Sequence, residues 1–167
     1  MTELELTRTP NDRRLYSLGE VGAVRLQGLF SSSATAEADG VSIQFTHRGL
    51  WQRAIEATDA AGAVIGEFLP RDIRRGGTLR WRGRELTLTP VSHLRERYAL
   101  AEAGRELAVL DGRGWGRRPV AVSVDDPDAI DHQLLLFAAF VVHRLAAKAG
   151  EAAGATAAAT SASSSGS

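Results

Sequence analysis

The chain has 167 residues, no cysteine, and 20 basic residues balanced by 20 acidic residues. This length suits one domain with a substantial core. The lack of cysteine excludes disulfides, thiolate metal ligands and a cysteine nucleophile. The N-terminal residues form neither a basic segment nor a long apolar one, which predicts no signal peptide and a cytoplasmic protein.

The charges are unevenly distributed along the chain. Residues 1–70 hold 6 arginines and 9 acids, residues 71–118 hold 12 arginines and 6 acids, and residues 119–167 hold Arg144, Lys148 and 5 acids. A basic middle between acidic ends is the one electrostatic indication of an anionic partner.

Alternation of apolar and polar residues recurs through the middle of the chain, from Val24 to Val124, and predicts half-buried strands. Turn signals such as Asp39-Gly40, Arg82-Gly83 and Asp111-Gly112 stand between the strands and predict hairpins in an antiparallel barrel or sandwich. Residues 1–11 are predicted to be an N-terminal extension. The apolar residues predicted to share inward faces are Val24, Leu26 and Phe30; Val41, Ile43 and Phe45; Leu79 and Trp81; Leu86 and Leu88; and Val120, Val122 and Val124.

A helix is predicted over residues 127–149. Asp126 is a suitable cap, Pro127 suits the first helical position, and Gly150 is a suitable terminator. Its centre is apolar all round, so it must be buried on all sides, and it is too short to cross a bilayer. The predicted helix core is Leu134, Leu135, Leu136, Phe137, Phe140 and Val141.

The low-complexity segment after this helix is predicted to be a disordered tail over residues 151–167. Its residues are almost all Ala, Ser, Thr and Gly. They have little apolar surface with which to offset the entropy of ordering. The barrel is therefore predicted to span residues 12–150.

The strand-rich chain with its final apolar helix resembles the tubby C-terminal-like superfamily, which includes LURP-one-related proteins and phospholipid scramblases. The similarity covers roughly residues 12–149. It rests on Trp51–Glu67, on the Trp81–Leu88 hairpin, and on Asp126–Asp131 leading into Leu134–Val142. The resemblance implies a mainly β fold, a closed antiparallel barrel of about a dozen strands enclosing a C-terminal hydrophobic helix. The chain looks most like the small bacterial-type members.

The resemblance implies little about activity, because the small bacterial members mostly lack an assigned one. Tubby proteins bind membrane phosphoinositides through basic residues, whereas scramblases are membrane-associated and calcium-responsive. Scramblases have a cysteine-rich palmitoylated segment and a Pro-rich N-terminal part, and this chain has neither. Their calcium-binding segment precedes the last helix, where this chain has Asp125, Asp126, Asp128 and Asp131.

The densest basic segment is the leading candidate binding site. Several guanidinium groups on one hairpin could hold phosphate oxygens, because the planar fork matches them in a bidentate manner. Strand alternation alone also explains arginines opposite Leu79 and Trp81, so a plain solvent-facing strand is the alternative. The candidate residues are Arg71, Arg74, Arg75, Arg80, Arg82 and Arg84.

A second candidate is the glycine-rich stretch from Asp111 to Arg118. Backbone N–H groups of such a loop could approach a phosphate, and Trp115 could stack on a base or enter a membrane interface. The stretch does not match a P-loop or a dinucleotide fingerprint, so a wide hairpin loop is the alternative. The candidate residues are Arg113, Trp115, Arg117 and Arg118.

Neither a metal site nor a catalytic site is predicted. The acidic stretch over residues 125–131 lacks the spacing of an EF-hand loop, and helix capping accounts for it. His132 and His143 are eleven residues apart, about 16 Å along a helix, so they are expected to bracket the buried segment. His47 and His93 lack neighbours at ligand spacing. No nucleophile–base set stands out, so no cofactor is expected and an enzyme is the least supported class.

These observations favour a non-enzymatic binding module that recognises anionic lipid or phosphorylated ligands through an Arg-rich face, peripheral at a membrane. A protein-interaction or structural adaptor without a small ligand is the alternative, and a single-stranded nucleic-acid binder is the third hypothesis. A barrel could also hold a small ligand, but only if the helix does not fill its lumen.

Overall fold

The computed structural model describes residues 1–28, 33–49, 54–71, 76–92, 94–113 and 117–162, without the side chains of residues 156–162. Twelve antiparallel strands form one closed barrel in which each strand pairs with the next and the first closes against the last. The strands are β1 (Thr2–Arg8), β2 (Leu15–Leu18), β3 (Gly22–Leu26), β4 (Ala34–Ala38), β5 (Val41–Arg48), β6 (Ala54–Thr58), β7 (Val64–Pro70), β8 (Gly77–Trp81), β9 (Arg84–Pro90), β10 (Glu96–Glu102), β11 (Arg105–Gly112) and β12 (Val120–Val124).

The predicted alternation fits the side chains that face the barrel interior. Ile43 and Phe45, Leu79 and Trp81, Leu86 and Leu88, and the three valines of β12 are all buried. Val41 is an exception at 44% exposed, because it directly follows the Asp39-Gly40 turn. Phe30 lies outside the described residues. The mainly β fold and the closed barrel are therefore confirmed.

One α-helix, α1 (His132–Ala162), runs through the barrel. All residues from Leu134 to Val142 are at most 1% exposed, and Phe137 packs between Phe45 and Trp81 with ring centroids 5.1 and 5.5 Å away. The prediction of an enclosed central helix is confirmed. Because α1 occupies the lumen, it takes the place of the small ligand that an open barrel could hold.

The same helix is long and apolar enough to cross a membrane by length and composition. The segment His132–Ala155 has a mean hydropathy of 1.3 over its best 18-residue window. However, 61% of that window is buried inside the barrel. The described part of the chain therefore contains no clear transmembrane span.

Two glycines let strands of the barrel approach α1 and the Trp81 side chain closely. A Cβ atom on Gly112 of β11 would lie 2.9 Å from the Ala146 methyl group and 3.0 Å from Val142 of α1. A Cβ atom on Gly66 of β7 would lie 2.4 Å from the Trp81 indole. These two positions require glycine for space rather than for a special backbone conformation.

Three predicted boundaries differ from the structure. Residues 1–11 were predicted as an extension, but Thr2–Arg8 is β1, which closes the barrel. The helix predicted over 127–149 is instead a 3₁₀ turn, Pro127–Ala129, followed by α1. The helix does not end at Gly150 but continues to Ala162, into the segment predicted as a disordered tail. The remaining residues 163–167 lie outside the described part.

The barrel has two distinct ends, because its strands alternate in direction. We call the end at which α1 begins the start end, and the opposite end the exit end. The start end carries the residues 19–21, 39–40, 59–63, 82–83, 103–104 and 125–131. The exit end carries the longer connections, residues 9–14, 27–33, 49–53, 71–76, 91–95 and 113–119, as far as they are described.

Candidate functional site

The two ends of the barrel have opposite charge. The start end holds seven carboxylates and a single arginine, Arg82; the carboxylates are Glu20, Asp39, Asp59, Asp125, Asp126, Asp128 and Asp131. The described connections of the exit end hold a single carboxylate, Asp12, and seven arginines: Arg13, Arg14, Arg71, Arg95, Arg113, Arg117 and Arg118. The uneven charge seen along the chain thus becomes a charge separation along the barrel axis.

The predicted arginines on β8 and β9 form ion pairs in the half of the barrel nearer the start end. Arg80 Nη1 lies 3.6 Å from Glu67 Oε2 on the neighbouring strand. Arg84 donates two hydrogen bonds to Glu102, of 2.7 and 2.6 Å. This bidentate contact lowers the pKa of Glu102 and raises that of Arg84. Cross-strand pairing therefore accounts for both arginines.

Arg82 belongs to the beginning of the helix rather than to a basic face. It lies in the turn between β8 and β9 with a positive φ of 48°. Its guanidinium group donates a hydrogen bond to Gln133 Oε1 and lies 3.9 Å from Asp131 Oδ2. The hairpin turn thereby contacts the first turn of α1.

Asp131 has a larger role than the sequence indicated. Its Oδ1 atom accepts hydrogen bonds from the backbone N–H groups of Gln133 and Leu134, at 2.9 and 3.1 Å, and so caps α1. Its Oδ2 atom accepts the indole N–H of Trp81 at 2.9 Å. Asp126, the predicted cap, instead accepts from Asp128 and caps the 3₁₀ turn.

The other predicted arginines lie at the exit end. Arg113 and Arg118 share the Glu5 carboxylate, at 3.1 and 2.9 Å. Arg71 and Arg117 have no ion pair within the described residues, and the same holds for Arg13 and Arg95, which sequence reasoning missed. The predicted residues Arg74, Arg75 and Trp115, together with Trp51 and His93, lie outside the described residues.

No local pattern could have identified Arg13 and Arg95 as members of this set. Each is a single arginine in a separate connection, and they are 82 positions apart in the numbering. They share the exit end with Arg71 and Arg117 only because the strands alternate in direction around a closed barrel. The predicted face from Arg71 to Arg84 is accordingly divided between the two halves of the barrel.

Two open depressions lined by described residues each contain side chains of both charge signs. One, of about 290 Å³, lies beside the β8–β9 turn and includes Glu67, Arg80 and Glu85. The other, of about 310 Å³, lies at the start end and includes Asp39, Arg82 and Asp131. Mixed charge makes both poor sites for a multivalent anion, so the exit-end arginines are the better candidate.

The described ranges contain no cluster of three or more His, Asp or Glu side chains with metal-binding geometry. His132 Nδ1 lies 3.0 Å from Asp39 at the start end. His143 lies near the opposite end of the buried helical segment, where burial, with a contribution from Arg144, lowers its pKa to about 4. The two histidines bracket the buried segment as predicted.

Comparison of the chain with known protein families, with curated proteins and with solved structures found no match. The functional assignment therefore depends on the arrangement of the chain's own residues.

Proposed function

We propose that this protein is a non-enzymatic binding module of the cytoplasm that recognises anionic lipid or phosphorylated ligands. The observation that carries this proposal is the concentration of arginines at the exit end, where the described connections hold one carboxylate. Guanidinium groups bind phosphate oxygens in a bidentate manner and stay charged at any physiological pH.

The state of the individual arginines supports the exit end over the β8–β9 hairpin. Arg80 and Arg84 already contact carboxylates, so an anionic ligand would have to compete with Glu67 and Glu102. Arg71, Arg95 and Arg117 have no such partner in the described part of the chain. Within the described residues, a ligand could therefore bind these arginines without breaking an ion pair.

We also infer kinship with the tubby C-terminal-like superfamily. The support is architectural: a closed twelve-strand antiparallel barrel encloses a C-terminal helix. A shared fold does not by itself imply a shared ligand. The proposed binding activity accordingly rests on the exit-end arginines and not on the kinship.

Vesicle flotation tests the proposed function. We expect the protein to float with anionic vesicles at low salt, to float less at physiological salt, and not to float with neutral vesicles. The variant Arg71→Gln/Arg95→Gln/Arg117→Gln should lose most of this binding. A matched control, Arg80→Gln/Arg84→Gln, removes nearly as many charges from the other half of the barrel and should retain it.

Two results would contradict the proposal. One is a lack of flotation with every vesicle at low salt, combined with no binding of a soluble phosphate monoester. The other is equal loss of binding in the two variants, which would show that net charge rather than the exit end determines association.

A protein-interaction adaptor is the second candidate function. It is favoured by the exposed apolar side chains of Val91 and Leu94, which are 50% and 96% exposed. This function predicts a stoichiometric complex with a protein partner that survives physiological salt. Replacement of Leu94 by Ser should weaken that complex, and anionic vesicles should not compete with it.

A further inference from the structure

Leu94 is the most exposed large apolar side chain in the described chain, at 96%. It lies in the connection between β9 and β10 at the exit end. The Val91 N–H group donates to the Arg97 carbonyl at 2.9 Å and closes this connection. The Leu94 N–H group donates to Ser92 Oγ at 3.3 Å. A single exposed leucine is ordinary in itself, so its surroundings decide what it can do.

The surroundings of Leu94 are cationic. Arg95 is its neighbour in sequence, and the other exit-end arginines lie on the same end of the barrel. The other exposed large apolar residues, apart from Val91, lie at the start end: Met1, Val41 and Val64. Val41 and Val64 follow turns that contain Asp39 and Asp59. Among the described residues, exposed large apolar side chains occur among positive charges only at the exit end.

The spacing of the exit-end arginines favours a broad anionic surface over one small ligand. They occur in four separate connections, after β1, β7, β9 and β11. Neighbouring strands are about 4.8 Å apart, so a barrel of twelve strands is at least about 18 Å across. One phosphate group, which accepts hydrogen bonds at about 2.8 Å, cannot contact arginines on opposite sides of such a barrel.

We propose that the exit end docks on an anionic membrane and inserts Leu94 into its interface, so that the barrel stands upright with the start end directed away from the lipid. This inference rests on the proposed function and specifies the partner and the orientation. Apolar insertion adds binding energy that salt does not screen, whereas the arginines provide the attraction to anionic headgroups.

The acidic start end does not oppose this arrangement. Strand β5 has eight residues, Val41–Arg48, and is about 27 Å long at about 3.4 Å per residue; at the usual strand tilt of about 40° it covers about 20 Å along the barrel axis. The Debye length at physiological salt is about 8 Å. The carboxylates of the start end therefore lie more than two Debye lengths from the lipid when the barrel is upright. A tilted or inverted barrel would bring them towards the anionic headgroups.

Single-cysteine labelling tests the inference directly, because the chain contains no cysteine. Leu94→Cys carries an environment-sensitive fluorophore at the exit end. Val64→Cys carries the same fluorophore at an exposed apolar position of the start end, where the native side chain is 55% exposed. Both proteins are mixed with phosphatidylcholine vesicles, with and without phosphatidylserine. We expect a blue shift only for the label at position 94, and only with phosphatidylserine.

A second measurement uses unlabelled protein. Leu94→Ser should lower partitioning into phosphatidylserine vesicles about tenfold, since partial burial of one leucine side chain in the interface is lost. Val64→Ser should leave partitioning unchanged. The loss for Leu94→Ser should persist at high salt, whereas the arginine contribution should fade.

The outcomes separate this inference from the proposed function. Vesicle binding without a blue shift at position 94 would overturn insertion and leave the binding module intact. A blue shift at position 64 would overturn the upright orientation. Lack of binding to anionic vesicles under any condition would overturn the membrane proposal altogether, and binding of a soluble phosphate monoester alone would then still support the broader function.

Discussion

At the scale of single residues, the Asp131 carboxylate joins α1 to strand β8. One oxygen caps α1, and the other accepts the Trp81 indole N–H. We predict that Asp131→Ala lowers the free energy of unfolding by about 2 to 4 kcal/mol. The reason is that α1 loses its cap and the N–H group of the buried Trp81 indole loses its hydrogen-bond acceptor. Urea unfolding of the purified variant provides the measurement.

The matched control for this prediction is Asp126→Ala. Asp126 accepts a hydrogen bond from the Asp128 N–H group and caps only the 3₁₀ turn, none of whose residues is buried. We expect Asp126→Ala to lower the free energy of unfolding by less than about 1 kcal/mol. Equal effects of the two substitutions would contradict the assigned role of Asp131.

His143 should make the stability of the protein depend on pH. Its ring lies 6.0 Å from that of Tyr16, and burial lowers its pKa to about 4. Unfolded histidine has a pKa of about 6.5, so between pH 6.5 and 4 the unfolded state takes up a proton that the folded state does not. We predict that the contribution of neutral His143 to the free energy of unfolding is complete above pH 6.5. Below pH 6.5 this contribution falls by up to about 1.4 kcal/mol per pH unit.

The measurement is a series of urea titrations from pH 7 to pH 4 on the wild type, His143→Gln and His132→Gln. His143→Gln should show a flatter acid dependence than the wild type. His132 is paired with Asp39 and is the control at the start end. A wild-type slope unchanged by His143→Gln would show that this histidine does not titrate in the predicted manner.

The residue scale is also where sequence reasoning was least informative. Asp131 and Trp81 are 50 residues apart, and nothing near either one indicates the other. The capping signal at Asp126 and Pro127 was real, but it belongs to a 3₁₀ turn that precedes the helix. Which carboxylate caps the helix depends on where the barrel allows the helix to enter.

At the scale of elements, α1 is the core around which the barrel closes. We predict that Leu136→Asp abolishes cooperative folding, since an unpaired carboxylate at a position with no exposed surface costs several kcal/mol. Thermal melting followed by circular dichroism provides the measurement. Val64→Asp, at an exposed position, is the control and should retain the transition. A cooperative melt for Leu136→Asp would contradict the enclosed helix.

The inward faces of the strands and the burial of the helix were predictable because each produces a local pattern of apolar residues in the sequence. Period-two alternation identified the inward residues of β5, β8, β9 and β12, and an uninterrupted apolar run identified the buried helix. The end of α1 was not predictable, because Gly150 is a common terminator and yet is tolerated within a helix.

At the scale of the whole molecule, closure depends on the first strand. β1 pairs with β12 on one side and β2 on the other, and its Leu6 is buried. We predict that deletion of residues 1–8 prevents formation of the monomeric fold, because two strand edges and the side of α1 become exposed. Analytical ultracentrifugation and thermal melting should show aggregation or loss of the transition.

A truncation at the other terminus is the control for this deletion. Residues 151–155 of α1 are exposed, so a chain that ends at Gly150 should keep the melting temperature of the full chain. A deletion of residues 1–8 that retained the melt would show that the barrel does not need β1.

Charge separation between the two ends could not be predicted by scanning the sequence. Scanning along the chain grouped Arg71 to Arg84 as one basic segment, whereas the fold divides these residues between two halves and gathers distant arginines at one end. The role of β1 in closing the barrel was missed for a related reason, because its partner β12 lies more than a hundred residues away.

The position of α1 after all twelve strands has a consequence for how the chain is made. On the ribosome, the inward apolar faces of the strands emerge before the helix that covers them. Until residues 134–142 are released, no helix fills the interior of the nascent barrel. In addition, β1 cannot pair with β12 before β12 has been made. Neighbouring hairpins can form early, but the closed barrel must wait for β12 and for α1. Chaperones that bind exposed apolar strands should therefore meet this protein mainly before residues 134–142 have emerged and covered those faces.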